Sequence, residues 1–577
     1  MADATFDAVI VGGGNKGLLL AMYLMKYGGM DVGIFERRHE IGGCLATEET
    51  SAPGFRGNTH ANIILPMYYL PVWRDFPDFW EYGGRWDQHL CSDGFVFKDN
   101  ETALAIYSTK YDPTQERSAE QIARFSKKDA DKWLKLSALE QSREYWTCQA
   151  DLLYNPAEFR IAPEILNRQL ELYPKLIEAG FNPDSVVLTA SSKRITKEWF
   201  ESPELQSCIL RFAVSGVNDI NEPGFGTQAM GLASYLPLIG FAPGGTHQIA
   251  HAAHQILVQM GCKFFTHTEV ERVIIENGSA TGVRLTNGGE IKARKIVVSA
   301  GMSPHQLCFD LIGREHIDEL TAKRVELIEN TFGCLMWYTL ALHEAPKYKA
   351  EAFNPDIHEC EWLGLQPDSD PEHIARECMY MKMGIWPPFE DYASTVTCHS
   401  LADPSYAPPG KHVVQNEQLA PPAAKHSEKE WLEIKERYAD ELIRLWQDYA
   451  PNMTWDNVIG VDTNSPYDNL RMKNLAPNGT MAGIDRSYYQ VEGNRPTPEL
   501  ANHRTPVKNL YATGGCWHVG SNAGSTESYN CYKIIATDLG LSKPWEEPDK
   551  QEPGSLVEEV YKVKERIRKT AKPKRYG

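Results

Sequence analysis

Apolar residues change period in a fixed order over the first fifty positions. Val9, Ile10 and Val11 form a short β-branched run, as expected of a strand buried on both faces. Leu18 to Leu24 follow with the length and composition of a buried helix, and Val32 to Phe35 give a second strand. Further on, helical spacing appears over 123–139 and 162–179. It recurs at Trp431, Ile434, Tyr438, Leu442 and Leu445, which share one helix face. The stretch 334–342 is strand-like. Residues 243–246 open a helix running to Met260, and strands follow at 261–265, 269–274, 283–285 and 296–300, with Asn287-Gly288 as a hairpin signal. Strands alternating with helices predict an α/β fold.

Between the first strand and the first helix stand Gly12, Gly14 and Gly17, spaced G-x-G-x-x-G. Gly12 permits the tight turn, Gly14 lets backbone approach a pyrophosphate, and Gly17 lets helix pack on strand, with Asn15 and Lys16 in the same turn. Glu36 ends the second strand, where a carboxylate can accept ribose hydroxyls. This combination predicts a dinucleotide site, a pattern that NAD and FAD share. Arg37 and Arg38 beside Glu36 read either as contacts to a 2′-phosphate or as flanking surface charges.

The length of 577 residues allows two or three domains, and the 42% hydrophobic content supplies a sizeable core. A net charge of −18 argues against nucleic acid as a partner. The twelve cysteines show no C-x-x-C and no metal-type spacing, so they read as reduced thiols of a cytoplasmic protein, and no metal is expected. His247, His251 and His254 share helical spacing without an acidic or cysteine partner. No apolar run approaches the ~20 residues that span a bilayer. Trp80, Trp86, Trp133, Trp146 and Trp199 read as core, with an apolar substrate tunnel as the alternative. From Trp545 an acidic stretch precedes an amphipathic one (Leu556, Val557, Val560, Val563, Ile567) and a basic end. This tail reads as solvated, as a docking helix for a homodimer, or as a peripheral membrane contact.

Several segments carry a resemblance. Glu36 to Gly43 is similar to the E-x(5)-G-G turn of glutathione-reductase-type flavoproteins. The G-G-G-x-x-G-L start, the E-R-R-x-x-x-G-G turn and the T-E-E-x-x-x-P-G-F run resemble the phytoene-desaturase-like flavoproteins, which include phytoene desaturases, carotenoid isomerases and retinol saturases. The Ser465-Pro466-Tyr467-Asp468 segment and the run from Asn509 to Gly520 match the same family, the latter resembling N-L-Y-x-x-G-x-x-x-H-P-G. Cys516 stands where the family has glycine, Val519 where it has proline, and Asn58-Thr59-His60 near its aspartate-glycine pair.

The resemblance implies a discontinuous, Rossmann-like FAD-binding domain of the glutathione-reductase type (1–75, 241–329 and 465–544). An α+β substrate domain (76–240 and 330–464) and the tail (545–577) complete the chain. FAD contacts are expected from Gly12, Gly14, Asn15, Lys16, Gly17, Glu36, Arg37, Gly43, Cys44, Val270, Gly514, Gly515, Asn522, Ser525 and Thr526. For Val270 the alternative is an ordinary sheet residue. His518, Trp517 and His60 form the candidate catalytic set, and His518 reads equally as a structural hydrogen bonder. The implied activity is hydride transfer between an apolar substrate, of isoprenoid or smaller alicyclic or aromatic type, and flavin N5, with oxygen or a quinone as reoxidant. Two alternatives stand beside it: a non-redox isomerase or hydratase of a C=C bond, and a flavin-free prenyl carrier of the same fold.

Overall fold

The computed structural model describes residues 4–521 and 523–571. Asn522 and the basic residues Lys572, Lys574 and Arg575 lie outside the described residues.

The β-branched run and its neighbours form the strand Ala4–Val11, at the centre of a seven-stranded sheet. Val32–Phe35 and then Lys263–Phe265 pair parallel on one side of it, and Glu290–Ala300 pairs parallel on the other. Glu290–Ala300 then forks. Its first residues pair antiparallel with Ser279–Leu285, and its last four pair parallel with Leu510–Thr513. Three remote parts of the chain thus end side by side at one edge of the sheet, where the chains turn away after Val11, Ala300 and Thr513. Ligands of open α/β sheets bind outside such strand ends.

The first helix, Asn15–Lys26, is apolar almost all round, and Leu18 to Leu24 are fully buried. A helix of that character belongs in an interior. It lies between Thr526–Leu539 and His247–Gln259. The tryptophans read as core, Trp80, Trp86, Trp133, Trp146 and Trp199, are all buried.

A second, mainly antiparallel sheet of seven strands runs in the order 458–464, 334–342, 412–420, 394–397, 360–366, 91–97, 102–107. The helix Glu428–Gln447 packs its Trp431, Ile434, Tyr438, Leu442 and Leu445 face on one side of this sheet. Ser427 caps that helix, with Glu430 reaching back to the Ser427 N–H. The helical pattern expected over 123–139 begins later, as the helix Lys127–Glu140, because Ser126 caps it; a separate helix, Glu116–Ile122, precedes it.

The tail differs from a solvated segment. Gly554–Arg568 is a helix whose Leu556, Val557, Val560, Val563 and Ile567 are at most 3% exposed. They pack on the helices Leu70–Asp75 and Arg143–Leu153. Lys564 Nζ donates to Glu140 at 2.7 Å, and Glu552 accepts from Arg74, Lys533 and Tyr529. The apolar face that the sequence leaves open to a second subunit or a membrane is therefore covered by the chain itself. No helix among the described residues is long and apolar enough to cross a membrane.

Leu556→Ala is expected to destabilise the protein by about 2–4 kcal/mol, since the buried leucine leaves a cavity between helices. Chemical denaturation followed by tryptophan fluorescence measures it.

Candidate functional site

The glycine turn is shaped by sterics. Gly12 has φ +107°, and a Cβ there would stand 2.2 Å from the Ala300 carbonyl oxygen. A Cβ on Gly17 would come as close to the Gly12 carbonyl oxygen. Gly43 approaches Gly14 so tightly that a Cβ on it would lie 3.1 Å from the Gly14 Cα. Only glycines allow these three backbones to meet. The cleft they leave opens into a cavity lined by Gly12, Gly14, Asn15, Lys16, Glu36, Arg37, Gly43, Cys44, His60, Val270 and Gly515.

Glu36 sits at one end of this cavity. Its Oε2 accepts from the Gly13 N–H at 2.9 Å and its Oε1 from the Arg38 N–H at 2.8 Å. These bonds fix the carboxylate while leaving lone pairs toward the cavity. The Arg37 and Arg38 guanidiniums donate to the Arg471 and Met472 carbonyls, each at 3.2 Å. They are thereby engaged with a segment, 471–476, that crosses the cavity. Gln306 and Asn474 exchange amide hydrogen bonds at 2.9 and 3.2 Å, and Lys473 pairs with Glu48 at 3.4 Å, completing the crossing.

At the other end stand His60, Trp337 and Asn469. His60 Nε2 donates to Asn469 Oδ1 at 2.9 Å, and Nδ1 faces the Thr59 hydroxyl at 3.2 Å. Burial, with repulsion from Lys473, pushes the His60 imidazole down to about 3. It is therefore a neutral ring held in one tautomer near neutral pH. The Trp337 ring lies 6.3 Å from it, centre to centre. Burial raises the Cys44 thiol, so it too is uncharged.

Ser521, residues 523–525 and the start of the helix Thr526–Leu539 stand behind the glycine turn, with Ala523 on the cavity wall. Lys16, almost fully buried, donates to the Ser521 and Gly524 carbonyls at 2.6 Å each and to Glu527 Oε2 at 2.5 Å. Asn15 donates to the Ala523 carbonyl at 2.7 Å. Glu527 also accepts from the Ser521 N–H and the Thr526 hydroxyl. Every proton of this buried ammonium has an acceptor, which is what a charge out of water requires.

The remaining expected residues stand off the cavity wall. Gly17 lies beneath the turn, and Gly514, at φ +155°, packs against Gly301. Ser525 donates to the Tyr68 carbonyl, and Thr526 faces Ser521 and Glu527. Trp517 is core, its indole N–H donating to the Leu500 carbonyl at 3.0 Å. His518 Nε2 meets Arg160 Nη1 at 3.2 Å and the Leu152 carbonyl at 3.3 Å, and burial, reinforced by Arg160, pushes its ring down to about 3. The structure thus brings His60 to the cavity and keeps Trp517 and His518 in hydrogen-bonded positions outside its lining. Sequence reasoning missed Gly301 to Ser303, Gln306, Trp337, Asn469 and the 472–476 segment, all on the wall. Only the Ser465-Pro466-Tyr467-Asp468 cap, which starts the helix leading into that segment, signalled it.

Fold and site together define an oxidoreductase built on a Rossmann-like nucleotide-binding domain. Residues 10–79 match the model of an NAD(P)-binding Rossmann-like domain. The homologues of the chain include one subunit of the limonene dehydrogenase of Castellaniella defragrans, 26% identical over 94% of this chain and 96% of that protein. They also include a chloroplastic prolycopene isomerase of an Oncidium hybrid cultivar (25%, covering 60% of this chain and 55% of that protein). The neurosporene-forming phytoene desaturase of Cereibacter sphaeroides is a further one (22%, 54% and 56%). Among solved structures, a putrescine oxidase with bound putrescine superposes with a TM-score of 0.55 at 12% identity, over 93% of this chain and 99% of that one. This chain's homologues thus include a dehydrogenase subunit, an isomerase and a desaturase.

Lys16→Met leaves Glu527 charged and unpaired, and a loss of about 3–5 kcal/mol is expected in chemical denaturation. The double variant Lys16→Met/Glu527→Gln should recover part of it. Gly17→Ala forces a Cβ onto the Gly12 carbonyl. Its expected outcome is loss of bound nucleotide cofactor, read by extraction from the purified variant and chromatography.

Proposed function

We propose that the chain is an FAD-dependent oxidoreductase acting on a C–H bond of an apolar substrate. The observation that carries this reading is the continuity of one cavity from Glu36 and Val270, through the glycine turn, to His60 and Trp337 at the second sheet. A dinucleotide longer than one nucleotide-binding unit matches that course, and the turn where a Cβ on Gly12 or Gly43 would intrude suits its pyrophosphate.

In this reading Glu36 accepts the ribose hydroxyls, and Gly14, Asn15 and Gly43 flank the phosphates. FAD, when bound, supplies the hydride acceptor or donor. Around the reacting end the chain offers neutral groups: an imidazole with its proton fixed on Nε2, an uncharged thiol and an indole. Such walls exclude water and hold an apolar skeleton without a competing acid or base. The substrate gives up two C–H bonds, one as a hydride that bound FAD would take and one as a proton released to solvent, a C=C bond forms between the two carbons, and oxygen or a quinone takes up the two electrons with two protons and leaves as hydrogen peroxide or a quinol. The same residues would serve a saturation running the other way.

The kinship with prolycopene isomerases favours one second reading, in which the net reaction moves a double bond without net oxidation. Visible spectroscopy of the purified protein tests the cofactor: a flavin band is expected, and its absence would sink the reading. Anaerobic addition of limonene and related cyclic terpenes should bleach that band. A product of unchanged mass would replace the dehydrogenase reading by the isomerase one.

A further inference from the structure

Lys473 ends the helix Pro466–Lys473, and Asn474 turns the chain out of it at φ +57°. Residues four apart share a helix face, so Lys473 lies on the same face as Asn469, whose side chain accepts from His60 Nε2 at 2.9 Å. Glu48 reaches the same place from the glycine-turn side. It belongs to the two-residue strand Thr47–Glu48, which pairs with Gly57–Asn58 just before His60. Lys473 Nζ donates to Glu48 Oε1 at 3.4 Å.

The two partners differ in their access to water. The Lys473 side chain is 1% exposed and that of Glu48 28%. Water screens the carboxylate and leaves the ammonium almost unscreened, so a positive field survives the pairing. Two cavity-lining neighbours feel it. Burial is the larger influence on His60 and on Cys44, and next comes the Lys473 charge, which opposes protonation of the one and eases ionisation of the other. Lys16 is the contrast: around its buried ammonium the Ser521 and Gly524 carbonyls and Glu527 close at 2.5–2.6 Å. Lys473 has, among the described residues, one acceptor, at a distance beyond the usual N–H···O range. A cation so buried and so weakly compensated is stabilised by any negative charge that arises beside it.

We propose that Lys473 tunes the redox balance of the cofactor, its buried charge favouring the reduced state of the flavin that the cavity holds. Uptake of a hydride adds one negative charge to the ring. A fixed cation in a water-free wall lowers the free energy of that charged state more than that of the neutral one. Glu48 limits the effect by keeping part of the opposite field in the protein. Lys473 acts through its field, without touching the substrate and without taking or giving a proton. This inference rests on the preceding reading, in which the reacting ring lies toward His60.

The flavin midpoint potential of the holoprotein is measured by dye-coupled reductive titration near neutral pH. In Lys473→Met the ratio of reduced to oxidised flavin at a given potential is expected to fall about tenfold, a shift of about 30 mV to the negative for a two-electron couple. Glu48→Gln removes the opposing charge and should move the potential the other way. Lys473→Arg keeps the cation and should stay close to the unaltered protein. A purely structural role for the pair predicts the same shift from Lys473→Met and Glu48→Gln, since either change breaks the same contact. An unmoved or raised potential in Lys473→Met, shifts of equal sign in those two variants, or a Lys473→Arg that behaves like Lys473→Met would overturn the inference. If Lys473→Met loses its flavin, Glu48→Gln decides alone: a raised potential supports the inference, and an unmoved or lowered one overturns it. Protein that holds no flavin at all would overturn the preceding reading and this one together, whereas bound flavin with an unmoved potential overturns this one alone.

Discussion

The contact between Lys16 and Glu527 holds the site together. It joins the first helix to the last large helix of the cofactor side, across 511 residues of chain. The lysine cannot leave water alone, because the cost of burying an ammonium exceeds what one hydrogen bond returns. It is tolerable here because the Ser521 and Gly524 carbonyls and the Glu527 carboxylate turn onto it. These groups in turn hold their places because Glu527 gathers the Ser521 N–H and the Thr526 hydroxyl. Glycine turn and the residues behind it therefore specify each other, and the wall between them follows.

The rest of the site is assembled on the same plan, by pieces that have no meaning alone. The parallel strands deliver Val11, Ala300 and Thr513 to a common edge. The second sheet sets Trp337 opposite that edge, and the 471–476 segment is drawn over the gap by Arg37 and Arg38. Glu36, Arg37, Arg38 and Lys473 put charge on the cavity wall. His60 and Cys44 are themselves neutral, the imidazole because burial and the nearby Lys473 suppress its protonation and the thiol because burial raises it.

Much of this was legible in the sequence. The β-branched run, the three glycines and Glu36 announce themselves by spacing, because their constraints are local: a turn, a close approach, a strand end. The amphipathic helix Glu428–Gln447 is legible for a similar reason. The 471–476 crossing is not, since its ties to Arg37 and Arg38 run through backbone carbonyls, which leave no residue signature. Trp337 hides in a strand whose nine residues are all buried, so no alternation reveals which side it faces. The tail has a clear apolar stripe, but a stripe alone does not say what covers it. The helices at 70–75 and 143–153 do, and only the fold brings them there. Trp517 and His518 stand in a motif that suggests chemistry, and their hydrogen bonds to Leu500 and Leu152 are set by tertiary neighbours.

The crossing by residues 471–476 has a mechanical side. It leans on the nucleotide-binding sheet through side-chain clasps, while its own helix, Pro466–Lys473, begins directly after the outermost strand of the other sheet. A molecule seated beneath it touches both halves at once and acts as a rivet, adding its binding free energy to the cohesion of the two halves. Emptying the seat would leave those clasps as the span's main hold on the nucleotide-binding half, so the two sheets would loosen from each other before either melted.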